Sequence, residues 1–252
     1  MVKMIMHGCN GAMGRVITGL VQEDGAIEIV AGIDISGGQG QGYPVFTSLE
    51  SCDVAADVVV DFASAKAVDG LLDYCESHQL PLVLCTTGLD ERQLKRVKEA
   101  SARTAILRSA NMSLGVNLLM KLVKNAAQVL AESGFDMEIV EKHHNRKKDA
   151  PSGTALALAD SINEAMDRQY HYVYDRSSVS QARDSREIGI SAVRGGTIVG
   201  EHDVIFAGTD EVVTFSHTAY SKAIFAKGAV AAAKFLAGKG PGLYDMADVI
   251  GL

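Results

Sequence analysis

Directly after a short apolar run, Val2 to Met6, the chain reads HGCNGAMGR, with Gly8, Gly11 and Gly14 leading into an amphipathic segment. A strand that passes into a helix through glycines can make a tight turn, approach a ligand with its backbone, and pack helix closely on strand. The helix start then offers unpaired N–H groups and partial positive charge to a phosphate. The spacing is GxxGxxG rather than GxGxxG, so context has to carry the reading. A second apolar run, IEIVAGID, ends at Asp34, about 20 residues beyond the third glycine, where an acid can hold the ribose hydroxyls of a dinucleotide. The segment that follows, ISGGQGQGYP, has no Lys or Arg to meet a 2′-phosphate. The expectation is therefore NADH, with NADPH possible, and Arg15 one turn into the helix as a further phosphate contact.

The runs ADVVVDF (56–62), PLVLCTT (81–87) and TAILRSA (104–110) continue the series, separated by helical stretches near 66–78 and 90–102. They are continuous and β-branched rather than alternating, as in strands covered on both faces. The expected fold class is α/β, a Rossmann-type doubly wound parallel sheet, with a second α+β domain carrying a mixed or antiparallel sheet. That second part starts with a long helix from Ser113 to about Ser133, whose apolar stripe is Leu114, Leu118, Leu119, Leu122, Ala126, Val129 and Leu130. FDMEIVEKHH reads as a strand and 152–167 as a helix. The polar stretch DRSSVSQARDSRE (175–187) reads as a mobile loop. Two longer strands follow across IGISAVRGGTIVGEHDVIFAG, with Gly195-Gly196 suited to a tight hairpin, and EVVTFSHTA adds another. An Ala-rich helix over 221–237 stops at Gly238, and GPGLYDMADVIGL reads as a turn with a short helical tail.

The chain of 252 residues carries 24 Lys+Arg against 31 Asp+Glu, a net charge of −7. That balance argues against a nucleic-acid partner, which needs a spread of phosphate-neutralising cations. Cys9, Cys52, Cys75 and Cys85 form no CxxC pair and no zinc-type cluster with histidine, so they read as small buried thiols and no metal is expected. There is no signal-peptide pattern and no run of membrane-spanning length, so the expected location is the cytoplasm.

Against this acidic background EKHHNRKKDAPSGTA concentrates His143, His144, Lys142, Arg146, Lys147 and Lys148 just ahead of a helix start. Pro151 suits the edge of a helix, and Ser152, Gly153 and Thr154 supply N–H groups and two hydroxyls there. Together these describe a pocket for a small anionic substrate, with imidazole and ammonium groups able to donate protons. Lys142 and Lys148 read as solvated charges.

EIVEKHHNRKKDAPSGTA resembles the signature of the 4-hydroxy-tetrahydrodipicolinate reductase family, formerly called dihydrodipicolinate reductase, of lysine and diaminopimelate biosynthesis. GCNGAMG, CTTG, SANMSLGVN, VGEHDVIFAG and FAKGAVAAAKFLAGKGPGLYDMADV extend the resemblance along the chain. It implies NAD(P)H-dependent reduction of a cyclic imine dicarboxylate. His143 and Lys147 would be the catalytic pair, and His144, Lys147, Ser152, Gly153 and Thr154 would grip the substrate carboxylates. Gly8, Cys9, Asn10, Gly11, Ala12, Met13, Asp34, Cys85, Thr86, Thr87, Ser109, Ala110, Asn111 and Met112 would line the cofactor site. It also implies a homotetramer built through the sheet of the second domain, and a C-terminal segment that returns to the first. The domains would be 1–113 with 222–252 for the dinucleotide, and 114–221 for substrate binding and oligomerisation, closing about hinges near Ser113 and Lys222. Ala12, Met112, Cys85 and Lys222 stand where many members carry Arg, an aromatic, Gly and Arg. These departures bear on cofactor preference. Two other readings are a non-catalytic NAD(H)-binding sensor and a dehydrogenase of another small substrate. The first would not need the HH…K…PSGT constellation, and a sugar would not call for so many cationic donors.

Overall fold

In the computed structural model VKMIMH forms β1 (Val2–His7), with Met4, Ile5 and Met6 wholly buried. The structure describes residues 1–38, 42–177 and 180–251. β1 turns through the glycines into α1 (Ala12–Gln22) and returns as β2 (Ile27–Ile33), parallel to it. β3 (Val45–Phe46), β4 (Val58–Asp61), a 3-10 turn at Ala65–Ala67, α2 (Val68–Ser77), β5 (Leu82–Leu84), α3 (Glu91–Ala100) and β6 (Ala105–Leu107) follow. Successive residues of one strand feed opposite cores, as the pleat requires. Met4, Met6, Val58 and Val60 pack on one side of the sheet, Ile5 and Val59 on the other. That is why these strands read as unbroken apolar runs. Asp90 starts α3 with a reciprocal cap, its carboxylate accepting from the Gln93 N–H at 2.7 Å, a feature that stabilises by about 1 kcal/mol.

The next segment is a separate compact unit, Leu114–Lys222. It comprises α4 (Leu114–Leu130), β7 (Asp136–His143), α5 (Gly153–Ala165), β8 (His171–Val173), β9 (Glu187–Arg194), β10 (Gly200–Ala207) and β11 (Val212–Ala219). The sheet is mixed, in the order β11-β10-β7-β9-β8. This overturns the hairpin expected at Gly195-Gly196. β7 lies between the two runs, parallel to β9 and antiparallel to β10. The glycines wrap over its end instead: Gly195 N–H donates to the His143 carbonyl at 2.9 Å, and Gly196 accepts from Asn145 N–H at 3.3 Å. Local turn chemistry allowed a hairpin, but β7 has two hydrogen-bonding edges to satisfy and takes both runs as neighbours. The stripe expected on α4 also shifts. Leu114, Leu118, Leu122 and Val129 are exposed, while Val116, Asn117, Leu119, Val123 and Ala127 are buried. A helix apolar over so wide an arc leaves the choice of buried face to its neighbours. Within the polar stretch 175–187, Glu187 is buried and opens β9; positions 178 and 179 lie outside the described residues.

The chain then rejoins the first unit, which comprises Met1–Ser113 and Ala223–Gly251. α6 (Ala223–Leu236) lays Gly228 against the Met112 carbonyl, where any Cβ would collide with it. The expected C-terminal turn contains a further strand, β12 (Gly242–Tyr244), parallel to β6, before α7 (Met246–Ile250). Three residues are too few to show a period. Among the described residues the completed sheet has seven strands in the order β12-β6-β5-β4-β1-β2-β3, all paired in parallel. Among the described residues no helix is long and apolar enough to cross a membrane.

Candidate active site

In the first unit the predicted residues collect at one edge of the parallel sheet. The glycine turn follows β1, Asp34 follows β2, Cys85–Thr87 follow β5 and Ser109–Met112 follow β6. β1 is also where the strand order reverses direction, the place where such sheets bind ligands. Gly8 has φ +82, and a Cβ on it would stand 2.9 Å from the Phe62 carbonyl oxygen. A Cβ on Gly14 would stand 2.5 Å from the carbonyl oxygens of Gly8 and Cys9, so only glycine seats the helix this close. Gly11 caps α1 with no side-chain hydrogen bond and no acid in the first turn. The helix start thus keeps its positive end for an anion, and the cradle fits a dinucleotide pyrophosphate.

Asp34 accepts from Asn10 N–H at 3.2 Å and from Ser36 N–H and Oγ at 3.1 and 2.6 Å. Burial pushes its carboxyl up, but the bonds from Ser36 and Asn10 outweigh this and hold it below the usual carboxylate value. Asn10 also spans the turn, donating to the Gly37 carbonyl at 2.7 Å. Cys9 and Met112 are buried, and their side chains pack in the core of the first unit. Gly11, Ala12 and Thr87 are exposed, Met13 and Ser109 half-buried.

The second unit builds its site from side chains. β7 alternates, with Met137, Ile139, Glu141 and His143 buried. The first two are core; the last two bring a carboxylate and an imidazole inside. His143 Nδ1 lies 2.5 Å from Glu141 Oε2. Arg194, at the end of β9, grips the same carboxylate with both terminal nitrogens, at 2.8 and 2.7 Å. The Ser152 N–H donates to Glu141 Oε1 at 2.9 Å. Ser152 caps α5, accepting from Ala155 N–H, and its hydroxyl lies 3.1 Å from His202 Nε2. Both its polar groups are thus engaged inside, and the exposed position at the helix start is Gly153. His202 stands edge-on to His143, ring centroids 5.1 Å apart. Burial, helped by His143, pushes His202 down to about 4, so it is neutral at pH 7. Lys147 lies 2.8 Å from Asp149. His144 is pushed below its ordinary value by burial and then by Arg146, Lys222, His143 and Lys147. This makes it a neutral donor or acceptor ringed by cations. Lys142 points elsewhere, to Glu201 at 3.0 Å and Asp203 at 3.4 Å.

Residues 2–112 match the family description "Dihydrodipicolinate reductase, N-terminus", and residues 115–250 match "Dihydrodipicolinate reductase, C-terminus". The chain belongs to the dihydrodipicolinate reductase family. Among curated relatives it is 53% identical to the 4-hydroxy-tetrahydrodipicolinate reductase of Caldanaerobacter subterraneus subsp. tengcongensis, over 99% of this chain and 98% of the relative. It is 47% identical to that of Clostridium tetani, over 98% and 96%. Among solved structures it resembles the dipicolinate-bound dihydrodipicolinate reductase from Paenisporosarcina sp. TG-14, with a TM-score of 0.82 and 25% identity over 99% of each chain.

Membership in this reductase family directs attention to the buried polar groups that the sequence reading passed over. Glu141, Arg194 and His202 surround His143, and none was among the expected site residues. A signal existed for two of them. In an alternating strand, Glu141 and His202 fall in phase with apolar inward positions, and a charge there has to be partnered inside. At the nucleotide edge, His7 Nδ1 lies 2.7 Å from Asp61 Oδ1, both residues buried, at the ends of the paired strands β1 and β4. The signal there was a charged residue ending an apolar run.

Proposed function

We propose that this chain catalyses the nicotinamide-dependent reduction of 4-hydroxy-tetrahydrodipicolinate to tetrahydrodipicolinate, a step of lysine and diaminopimelate biosynthesis. The observation that carries the reading is the assembly at the end of β7: a carboxylate-bound histidine, a lysine, and the start of α5 in one cationic cluster. A nicotinamide, when bound, supplies a hydride to the substrate ring. The reaction also takes up one proton and, from the 4-hydroxy form, releases water.

The protein's own residues divide the remaining work. His143, bonded through Nδ1, has Nε2 to give or take a proton. Lys147 exchanges Asp149 for a substrate carboxylate and stabilises the charge that develops during reduction. His144 and the Gly153–Thr154 backbone orient the second carboxylate, and Ser152 shapes that helix start from inside. In the first unit Gly8–Met13 hold the pyrophosphate. Asp34 takes the ribose hydroxyls, which favours NADH, because a 2′-phosphate would meet a carboxylate there. Cys85–Thr87 and Ser109–Met112 complete the rim of the cofactor site.

The family relationship supports a homotetramer assembled through the second sheet. Four free cysteines suit a reducing cytoplasm. The deciding assay condenses pyruvate and aspartate semialdehyde with a purified synthase, adds this protein with NADH or NADPH, and follows loss of nicotinamide absorbance. Oxidation that requires the condensed product, faster with NADH, is expected. No oxidation from protein that binds NADH would overturn the reading.

A further inference from the structure

One buried carboxylate joins the parts of the second-unit site. Glu141 has no exposed surface, and its oxygens meet His143, both terminal nitrogens of Arg194, and the Ser152 N–H that opens α5. Arg194 is itself braced by the Asp149 carbonyl at 2.6 Å, beside the Lys147 partner. We propose that Glu141, clamped by Arg194, is a positioning residue for the reaction: it fixes His143 in the tautomer protonated on Nδ1 and locks that ring to the start of the substrate-binding helix. This deepens, and rests on, the reading of His143 as the proton-transfer group.

The physical reason lies in the charge balance. A buried carboxylate facing only a neutral imidazole would lose its charge or its burial. Arg194 supplies a permanent cation with fork geometry matched to the carboxylate. Burial pushes the Glu141 carboxyl up, and Arg194, His143 and the Ser152 N–H together hold it below its ordinary range. Nδ1 therefore has a charged acceptor whether the ring is neutral or protonated, and Nε2 is the atom left to exchange a proton. β10 makes room for it: a Cβ on Gly200 would stand 3.1 Å from Nε2.

The titratable and charged groups around the ring are Glu141 on its own strand, His144 and Lys147 from the following turn, Arg194 from β9, and His202 from β10. His217 on β11 stands behind His202. His202 is neutral at pH 7 and adds no competing charge.

The test is a double-mutant cycle with Glu141→Gln, His143→Gln and the pair, each checked for NADH binding and a cooperative melt. Glu141→Gln should lower kcat by about 10²- to 10⁴-fold with a smaller change in KM, and displace the pH–kcat profile. Glu141→Asp should recover part of the loss. In the His143→Gln background the same change should cost less than about threefold, because the two act as a unit. Nitrogen-15 spectra should show His143 protonated on Nδ1 in the parent and a mixture of tautomers in Glu141→Gln. Additive losses, or a rise in KM at unchanged kcat, would make Glu141 a prop for α5 and overturn the proposal. Normal turnover by His143→Gln alone would instead sink the reading of His143 itself. If Glu141→Gln does not fold, Arg194→Gln enters the same cycle, with the same non-additivity expected.

Discussion

The parallel-sheet edge of the first unit and the β7 end of the second are built by opposite means. At the first, the ligand-facing surface is mostly backbone: three glycines, an uncapped helix start, and one aspartate braced by its neighbours within the turn. At the second, it is side chains, and the buried groups that hold His143 in place come from β7 itself, β9, β10 and the start of α5. A backbone site tolerates change in side chains that it does not use, such as Ala12, but not an added Cβ. A side-chain site tolerates backbone drift less than the loss of one countercharge. The contrast is between steric exclusion and electrostatic balance.

The largest effects should fall on the side-chain site. Lys147→Ala and His143→Ala should each lower kcat by about 10²- to 10⁴-fold while the NADH dissociation constant, measured by calorimetry, stays within about threefold of the parent. Loss of NADH binding in step with kcat would erase the division between the two regions.

Next in size is an acid response rooted in the same buried cluster. His202 is depressed to about 4 in the folded protein, against about 6.5 in the unfolded chain. The unfolded state therefore takes up the proton first, and the contribution is fully present above about pH 6.5. It is lost as the pH falls toward 4, by about 3 kcal/mol, and then levels off. Glu141, also depressed, adds its loss only below the ordinary carboxylate range. Denaturant unfolding across this range should show the slope, and His202→Asn should flatten its upper part. An unchanged slope in that variant would place the acid sensitivity elsewhere.

At the backbone site, Asp34→Asn should weaken NADH binding by about 1.5 to 3 kcal/mol and narrow the ratio of kcat/KM values between NADH and NADPH. A ratio that does not move would remove Asp34 from cofactor choice. Gly14→Ala should cost about 1 to 3 kcal/mol of stability through its collision with the Gly8 and Cys9 carbonyls. A parent-like melting temperature would show that the turn relaxes more easily than its geometry implies.

Legibility followed the same division. The βα alternation, α1 at 12–22 and the strand ends carrying Asp34 and Cys85–Thr87 were readable because local pattern and burial agree there. The hairpin at Gly195-Gly196 was not, because strand pairing is a choice among partners and β7 outcompeted the local turn. Nor was the buried stripe of α4, where a broad apolar arc left several orientations open. β3 and β12, two and three residues long, carry too little pattern to declare themselves.

What the sequence by itself determined was the kind of chemistry to expect: a glycine turn between strand and helix suited to a phosphate, and a cationic segment set into an acidic chain. Both are contiguous, so their meaning survives without coordinates. What the tertiary structure alone decided was how that chemistry is supported. Glu141, Arg194, Ser152 and His202 come from β7, β9, the start of α5 and β10, and meet only when β7 takes the centre of its sheet. A buried charge is stable only beside its countercharge, and that pairing is a property of the packed chain.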